Sequence, residues 1–147
     1  MQAVESNNVL NILLIEDSLP DIVLTEKAFQ KSNFKTSLHI VRDGEEAMLF
    51  LKKEGKYKDV IRPDLVLLDI NLPRKSGYEV LNDIKQDKDL KSILVIMLTS
   101  STSEKDISKS YQLHANSYIV KPCSLTDYVN TIHQIENFWK KATSLAK

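Results

Sequence analysis

Five short apolar runs, each followed by a stretch of helical periodicity, constrain this chain more than any other feature of its sequence. The runs are Ile12–Ile15, Leu38–Val41 (interrupted by His39), Leu65–Leu68, Ile93–Leu98 and Tyr118–Val120. Each has the length of a strand and is rich in Ile, Leu and Val. The first, third and fourth are apolar throughout, as strands covered on both faces must be. The segments between them read as helices. Ile22, Leu24, Ala28 and Phe29 mark one face of a helix over 19–32. Asp43 and Glu46 are spaced as a capping box before Ala47, Leu49, Phe50 and Leu51. A third helix starts near Ser76 and carries Val80, Leu81 and Ile84, and a fourth spans 104–113 behind Ser103. The last opens at Ser124 and carries Leu125, Val129, Ile132 and Ile135 before Phe138-Trp139. Strand-then-helix units repeated in this way imply a parallel sheet with right-handed crossovers. The expected fold is α/β, a doubly wound five-stranded parallel sheet of order 2-1-3-4-5 with an extended C-terminal helix. The expected boundaries are a flexible N-terminus over 1–8, a folded domain over 9–138 and an extension over 139–147.

Composition narrows the function classes. The 147 residues suit one domain, and 20 Lys+Arg balance 20 Asp+Glu. A nucleic-acid-binding chain usually carries a basic excess, so no direct nucleic-acid contact is expected. The single cysteine, Cys123, excludes an internal disulfide, a four-cysteine zinc site and a CxxC redox pair. The three glycines are too scattered for a phosphate-cradling loop or a dinucleotide fingerprint. No secretory leader is evident, and the apolar runs are far too short to span a bilayer. The cytoplasm is the expected compartment, with no membrane partner.

In a sheet of this order, ligands bind beyond the carboxyl ends of the strands, at the switch between strands 1 and 3. The residues that follow the strands therefore matter most. Strand 1 is followed by Glu16-Asp17, strand 3 by Asp69, strand 4 by Thr99-Ser100 and strand 5 by Lys121-Pro122. Any one of these alone is as well explained by a helix cap or a solvated turn. Together they bring three acids, a hydroxyl and an ammonium to one edge. Crowded carboxylates call for a cation, and Mg²⁺ is the expected cofactor, because it takes few protein carboxylates and leaves room for phosphate oxygens. The set suits phosphoryl transfer, with an aspartate able to take the phosphoryl group as an acyl phosphate.

The stretches LLIEDS, PDLVLLDINLPRKSGYEVL, VIMLTSS and SYIVKP resemble the receiver domain of CheY-like response regulators over about residues 9–135. The resemblance implies that Asp69 is the phosphoacceptor, charged by a sensor histidine kinase. It implies that Glu16, Asp17, Asp69 and the Asn71 carbonyl arrange Mg²⁺, and that Thr99 and Lys121 bind phosphoryl oxygens. Tyr118 matches the aromatic that turns inward with the Thr99 hydroxyl on phosphorylation. Ser100 is small, as access to the phosphate requires, and Asn71 and Ser101 match positions that tune the phosphate's lifetime. Pro73 and Gly77 match the loop after the phosphoacceptor, and the Lys121–Pro122 bond is often cis in the family. Little chain follows the fifth helix, so the expected output is protein contact or onward phosphotransfer rather than an attached effector. The stretches DLKSI, SYQLHANSYIVKP and ENFW are similar to those of small receivers paired with bacterial, often cyanobacterial, phytochrome-type kinases.

Two other classes fit less well. An aspartate-nucleophile phosphohydrolase of haloacid-dehalogenase type wants a second acid two residues after the nucleophile, where this chain has Asn71. A flavin mononucleotide carrier would bring its phosphate against three acids. A further expectation concerns oligomerisation. Phe138 and Trp139 are adjacent, so they project about 100° apart on a helix, and one core is not expected to absorb both. They are therefore expected to contribute to a two-fold homodimer across the last helix-strand-helix edge, the alternative being that Trp139 folds back on its own domain under the Lys140 stem.

Overall fold

The computed structural model describes residues 9–146, with side chains through Thr143. Five parallel strands are β1 (Leu10–Ile15), β2 (Thr36–Val41), β3 (Leu65–Leu68), β4 (Leu94–Thr99) and β5 (Ser117–Val120), in the order β2-β1-β3-β4-β5. The helices are α1 (Leu19–Gln30), α2 (Gly44–Leu51), α3 (Gly77–Gln86), α4 (Glu104–Gln112) and α5 (Leu125–Ala146), with a 3-10 turn over Gly55–Tyr57. The expected order and elements are as found. The domain limit expected at 138/139 falls inside α5, and the segment 1–8 lies outside the described residues.

The period-2 alternation of the strands divides the core into two clusters. Leu13, Ile15, Val66, Leu68, Val95 and Met97 face α2 and α3. Ile12, Leu14, Leu65, Leu67, Ile96 and Leu98 face α1 and α5. Side chains of this size contribute about 1.5–3 kcal/mol each when fully buried. Burial on both faces is why β1, β3 and β4 have no polar alternation.

Local signals fix the helix starts. Ser18, Asp43, Ser76 and Ser103 each accept a backbone N–H from three residues on, and Ser76 with Glu79 completes a capping box. The Asp43-to-Glu46 bond forms as expected, but the Glu46 carboxylate accepts from the Tyr57 hydroxyl instead of closing the box. Register aligns the strand ends: Ile15 pairs with Leu68, Leu68 with Met97, and Thr99 with Val120. The residues following β1, β3, β4 and β5 are thereby brought to one edge.

Two expectations are corrected. The Lys121–Pro122 bond is trans, as are all the described peptide bonds. The Lys121 N–H donates to the Thr99 carbonyl at 2.8 Å, so continuation of the β4–β5 ladder delivers the lysine to the edge. Phe138 and Trp139 both pack against the α1–α5 cluster of their own domain, with the Trp139 ring edge-on to Phe34 at 6.2 Å between centroids. The core stripe of a helix is at least 100° wide. Phe138 and Trp139 lie three and four residues beyond buried Ile135, on that stripe's two flanks.

Candidate functional site at the carboxyl edge of the sheet

Asp69 follows β3 between β1 and β4, and its side chain is 9% exposed. Its N–H donates to the Ile15 carbonyl at 3.1 Å, which extends the β1–β3 ladder to the acid itself. One carboxylate oxygen accepts the Ile70 N–H at 2.7 Å, and the other lies 2.8 Å from Lys121 Nζ. The backbone below leaves no space. A Cβ at Gly77 would stand 2.0 Å from the Asp69 carbonyl oxygen, so α3 can begin against this turn only with glycine there.

Lys121 arrives from β5 with its side chain 7% exposed. Its ammonium lies 2.8 Å from Glu16 Oε1, 2.8 Å from Asp69 Oδ2 and 2.9 Å from Asp21 Oδ2. Burial alone would depress its pKa, but the hydrogen bonds to Asp69, Glu16 and Asp21 outweigh that and hold it above the ordinary lysine range. Glu16 moves in the opposite sense from a salt-bridged acid. Burial raises its pKa more than the Lys121 bond lowers it, and the Asp69 charge adds to the rise. Asp21 is more exposed, at 25%. Burial is the largest single influence and raises its pKa, but the Lys121 hydrogen bond and charge, with hydrogen bonds from Ser18 and Tyr128, together outweigh it and hold the carboxyl below its ordinary value.

The structure therefore brings together Glu16, Asp69 and Lys121, as expected, with Thr99 buried at the end of β4. Ser100 and Asn71 are exposed at the rim. Tyr118 is half-buried, and its hydroxyl donates to the Ser101 carbonyl at 2.8 Å. Asp17 departs from the expected convergence. It is half-exposed and pairs with Arg42 at 3.8 Å, while the Arg42 guanidinium donates to the Asp17 carbonyl at 2.7 Å. Both acids lie past the end of β1, where Glu16 is buried against Lys121 while Asp17 turns to the Arg42 guanidinium just past β2. The third acid on Lys121 is Asp21, from the first turn of α1, which sequence reasoning missed. Its only signal was its place one helical turn after Asp17, behind the Ser18 cap.

Among the described residues, no three acid, His or Cys side chains are gathered as a ready metal cage. The donor chemistry nevertheless suits a hard cation. Glu16, Asp21 and Asp69 carry three carboxylates against one ammonium, and Asp17 adds a fourth at the rim. Oxygen-only donors with excess negative charge fit a divalent ion such as Mg²⁺ or Mn²⁺.

Comparison with known proteins agrees with this geometry. Residues 12–133 match the response regulator receiver domain model. The chain is 45% identical over 141 residues to response regulator Rcp1 of Synechocystis sp., covering 96% of each chain. It is 38% identical to a probable methanogenesis regulatory protein, FilR2, of Methanothrix harundinacea, covering 92% of this chain and 86% of the relative. Among solved structures, the phosphorylated cyanobacterial phytochrome response regulator RcpA superposes with a TM-score of 0.86 at 44% identity, over 92% of this chain and 96% of that one. The Mn²⁺-bound form of Rcp1 gives 0.81 at 46% identity, over 88% and 93%. A carboxylate held at the sheet's edge between a second buried acid and a lysine is thus found in a chain that belongs, over nearly its whole length, to the response regulator receiver family.

Proposed function

We propose that Asp69 accepts the phosphoryl group in this receiver, and that its donor is a sensor histidine kinase of phytochrome type. The observation that carries the first part is the Asp69 carboxylate, 9% exposed at the end of β3 with one oxygen 2.8 Å from Lys121. The second part is supported by the similarity to Rcp1 and RcpA.

In the proposed transfer, an Asp69 oxygen attacks the phosphorus of a phosphohistidine. A P–O bond forms as the P–N bond breaks. The electron pair of that bond stays on the histidine nitrogen, which takes up a proton. Lys121 places positive charge beside the developing acyl phosphate, and the Thr99 hydroxyl donates to a second phosphoryl oxygen. Glu16, Asp17, Asp69 and the Asn71 carbonyl would hold a divalent cation, with Asp17 swinging in from its long contact with Arg42. Mg²⁺ is the proposed ion, and when bound it neutralises phosphoryl oxygens. The chain acts stoichiometrically, with one acyl phosphate per molecule rather than turnover. Tyr118 carries the change outward when its hydroxyl leaves the Ser101 carbonyl. The proposed setting is the cytoplasm, where no direct nucleic-acid contact is needed. Borohydride reduction of the labelled protein followed by peptide mapping tests the acceptor: the modified residue is expected to be Asp69.

A two-fold homodimer is proposed across the edge formed by α4, β5 and α5. Its support is apolar exposure at that edge, with Tyr111 46% and Val120 42% exposed. Phe138 and Trp139 contribute only the faces they leave open. Sedimentation of wild type and Val120→Glu, with and without beryllofluoride, tests it: the charge is expected to shift the protein toward monomer.

A further inference from the structure

An ammonium has three N–H donors, and in this structure Lys121 has all three engaged: with Glu16, with Asp69 and with Asp21. A phosphoryl group on Asp69 presents new anionic oxygens beside the same ammonium, so one existing contact must be given up. Glu16 is poorly placed to yield. It is buried, and its second oxygen accepts the Ser18 N–H at 3.0 Å. Asp21 sits at the rim, and its second oxygen accepts the Tyr128 hydroxyl at 3.2 Å. Tyr128 belongs to α5 and is fully buried, so its ring is fixed and its hydroxyl aims the carboxylate. The Ser18 hydroxyl at the α1 cap accepts the Asp21 N–H at 3.4 Å and also lies against the Asp21 carboxylate.

We propose that Asp21 is a positioning residue that competes with the phosphoryl group for Lys121, and that the Tyr128 hydroxyl holds the Asp21 carboxylate in the competing orientation. The pair acts as a restraint on the resting site, applied from the buried face of α5. The inference rests on the assignment of Asp69 as phosphoacceptor.

The test is beryllofluoride affinity in Mg²⁺, with the rate of phosphoryl uptake from acetyl phosphate, for Asp21→Asn, Tyr128→Phe and the double variant. Asp21→Asn is expected to raise both roughly three- to tenfold, the size of one charge-assisted contact. Tyr128→Phe leaves the net charge unchanged, so a mere loss of repulsion cannot move it. It is expected to shift both quantities in the same direction by a smaller factor, and the double variant is expected to match Asp21→Asn alone. Thermal melting confirms that each variant is folded. Unchanged or lower affinity in Asp21→Asn overturns the proposal, and so does a Tyr128→Phe variant that behaves as wild type. Wild-type protein that takes up neither probe overturns the phosphoacceptor assignment itself; uptake by wild type with matching variants overturns only the restraint.

Discussion

Helices α4 and α5 flank β5, yet they are fastened in opposite ways. Along α5, Tyr128, Ile132, Ile135 and Glu136 are buried, and Val129, Phe138 and Trp139 close over the same cluster. Along α4 only Ser110 is buried, and its hydroxyl donates back to the Asp106 carbonyl at 2.8 Å. What holds α4 is polar. Asp106 accepts from the Tyr78 hydroxyl of α3 and, at 2.6 Å, from the Ser101 hydroxyl, while Lys109 lies over the Tyr78 ring at 4.3 Å. Close-packed apolar surfaces resist rearrangement, because every displacement opens a void. Hydrogen bonds at a half-exposed site can be exchanged for water at little net cost. The difference identifies α4 and the β4–α4 loop as the part of this edge that can take a second arrangement, with α5 as the fixed wall. Ser101 joins β5 to α4 in this polar fastening, since its carbonyl accepts from Tyr118 while its hydroxyl holds Asp106.

The sharpest way to break this contrast is through stability. Ile132→Ala on α5 is expected to cost about 2–5 kcal/mol in urea unfolding, the range for a buried aliphatic truncated to alanine. A loss below about 1 kcal/mol would show that α5 is not anchored by that face. The next effect concerns response. Beryllofluoride with Mg²⁺ is expected to shift the backbone amide resonances of α4, β5 and the loop between β4 and α4 far more than those of residues 128–136. Lys121→Ala is expected to remove most of that response. Equal shifts along α4 and α5 would erase the distinction between them.

The smallest effect is local. Asp106→Asn is expected to speed amide exchange within α4 while leaving the global unfolding midpoint nearly unchanged. The same bond gives a pH dependence of known sign. The Ser101 hydrogen bond first, then that from Tyr78, holds the Asp106 pKa below its usual value. A carboxyl whose folded pKa is depressed stabilises the fold above its unfolded pKa, and that contribution disappears as pH falls through the folded value. Protection of the α4 amides, relative to their intrinsic exchange rate, is therefore expected to fall first as pH drops below about 4, ahead of the segments packed on α5.

The fold was legible because burial on both sides of a parallel sheet leaves a signature that short windows capture: Leu65–Leu68 and Leu94–Leu98 are apolar for a reason visible in their own residues. The acceptor edge was legible for a related reason, since Glu16, Asp69, Thr99 and Lys121 each directly follow such a run. Asp17 stands at the same edge, but its contact with Arg42, 25 positions away just past β2, was not legible because no local pattern encodes it. Asp21 drew no notice in the sequence, because an acid in the first turn favours a helix N-terminus whatever lies nearby. Its contact with Lys121 spans 100 positions, and no periodicity encodes that. The polar fastening of α4 was hidden in the same way, because Tyr78 and Asp106 are 28 residues apart. Trp139 was misjudged through a neighbour-to-neighbour angle, when its spacing from Ile135 and the distant Phe34 ring decide where it packs.

The proposed function rests on Asp69 being the residue that takes the phosphoryl group with a divalent cation present. Intact mass of the protein incubated with acetyl phosphate, with and without Mg²⁺, tests that most directly. The expected result is one phosphoryl adduct per chain, formed only with Mg²⁺ and absent from Asp69→Asn. An Asp69→Asn protein that labels fully, or wild type that labels equally well in excess chelator, would contradict the account.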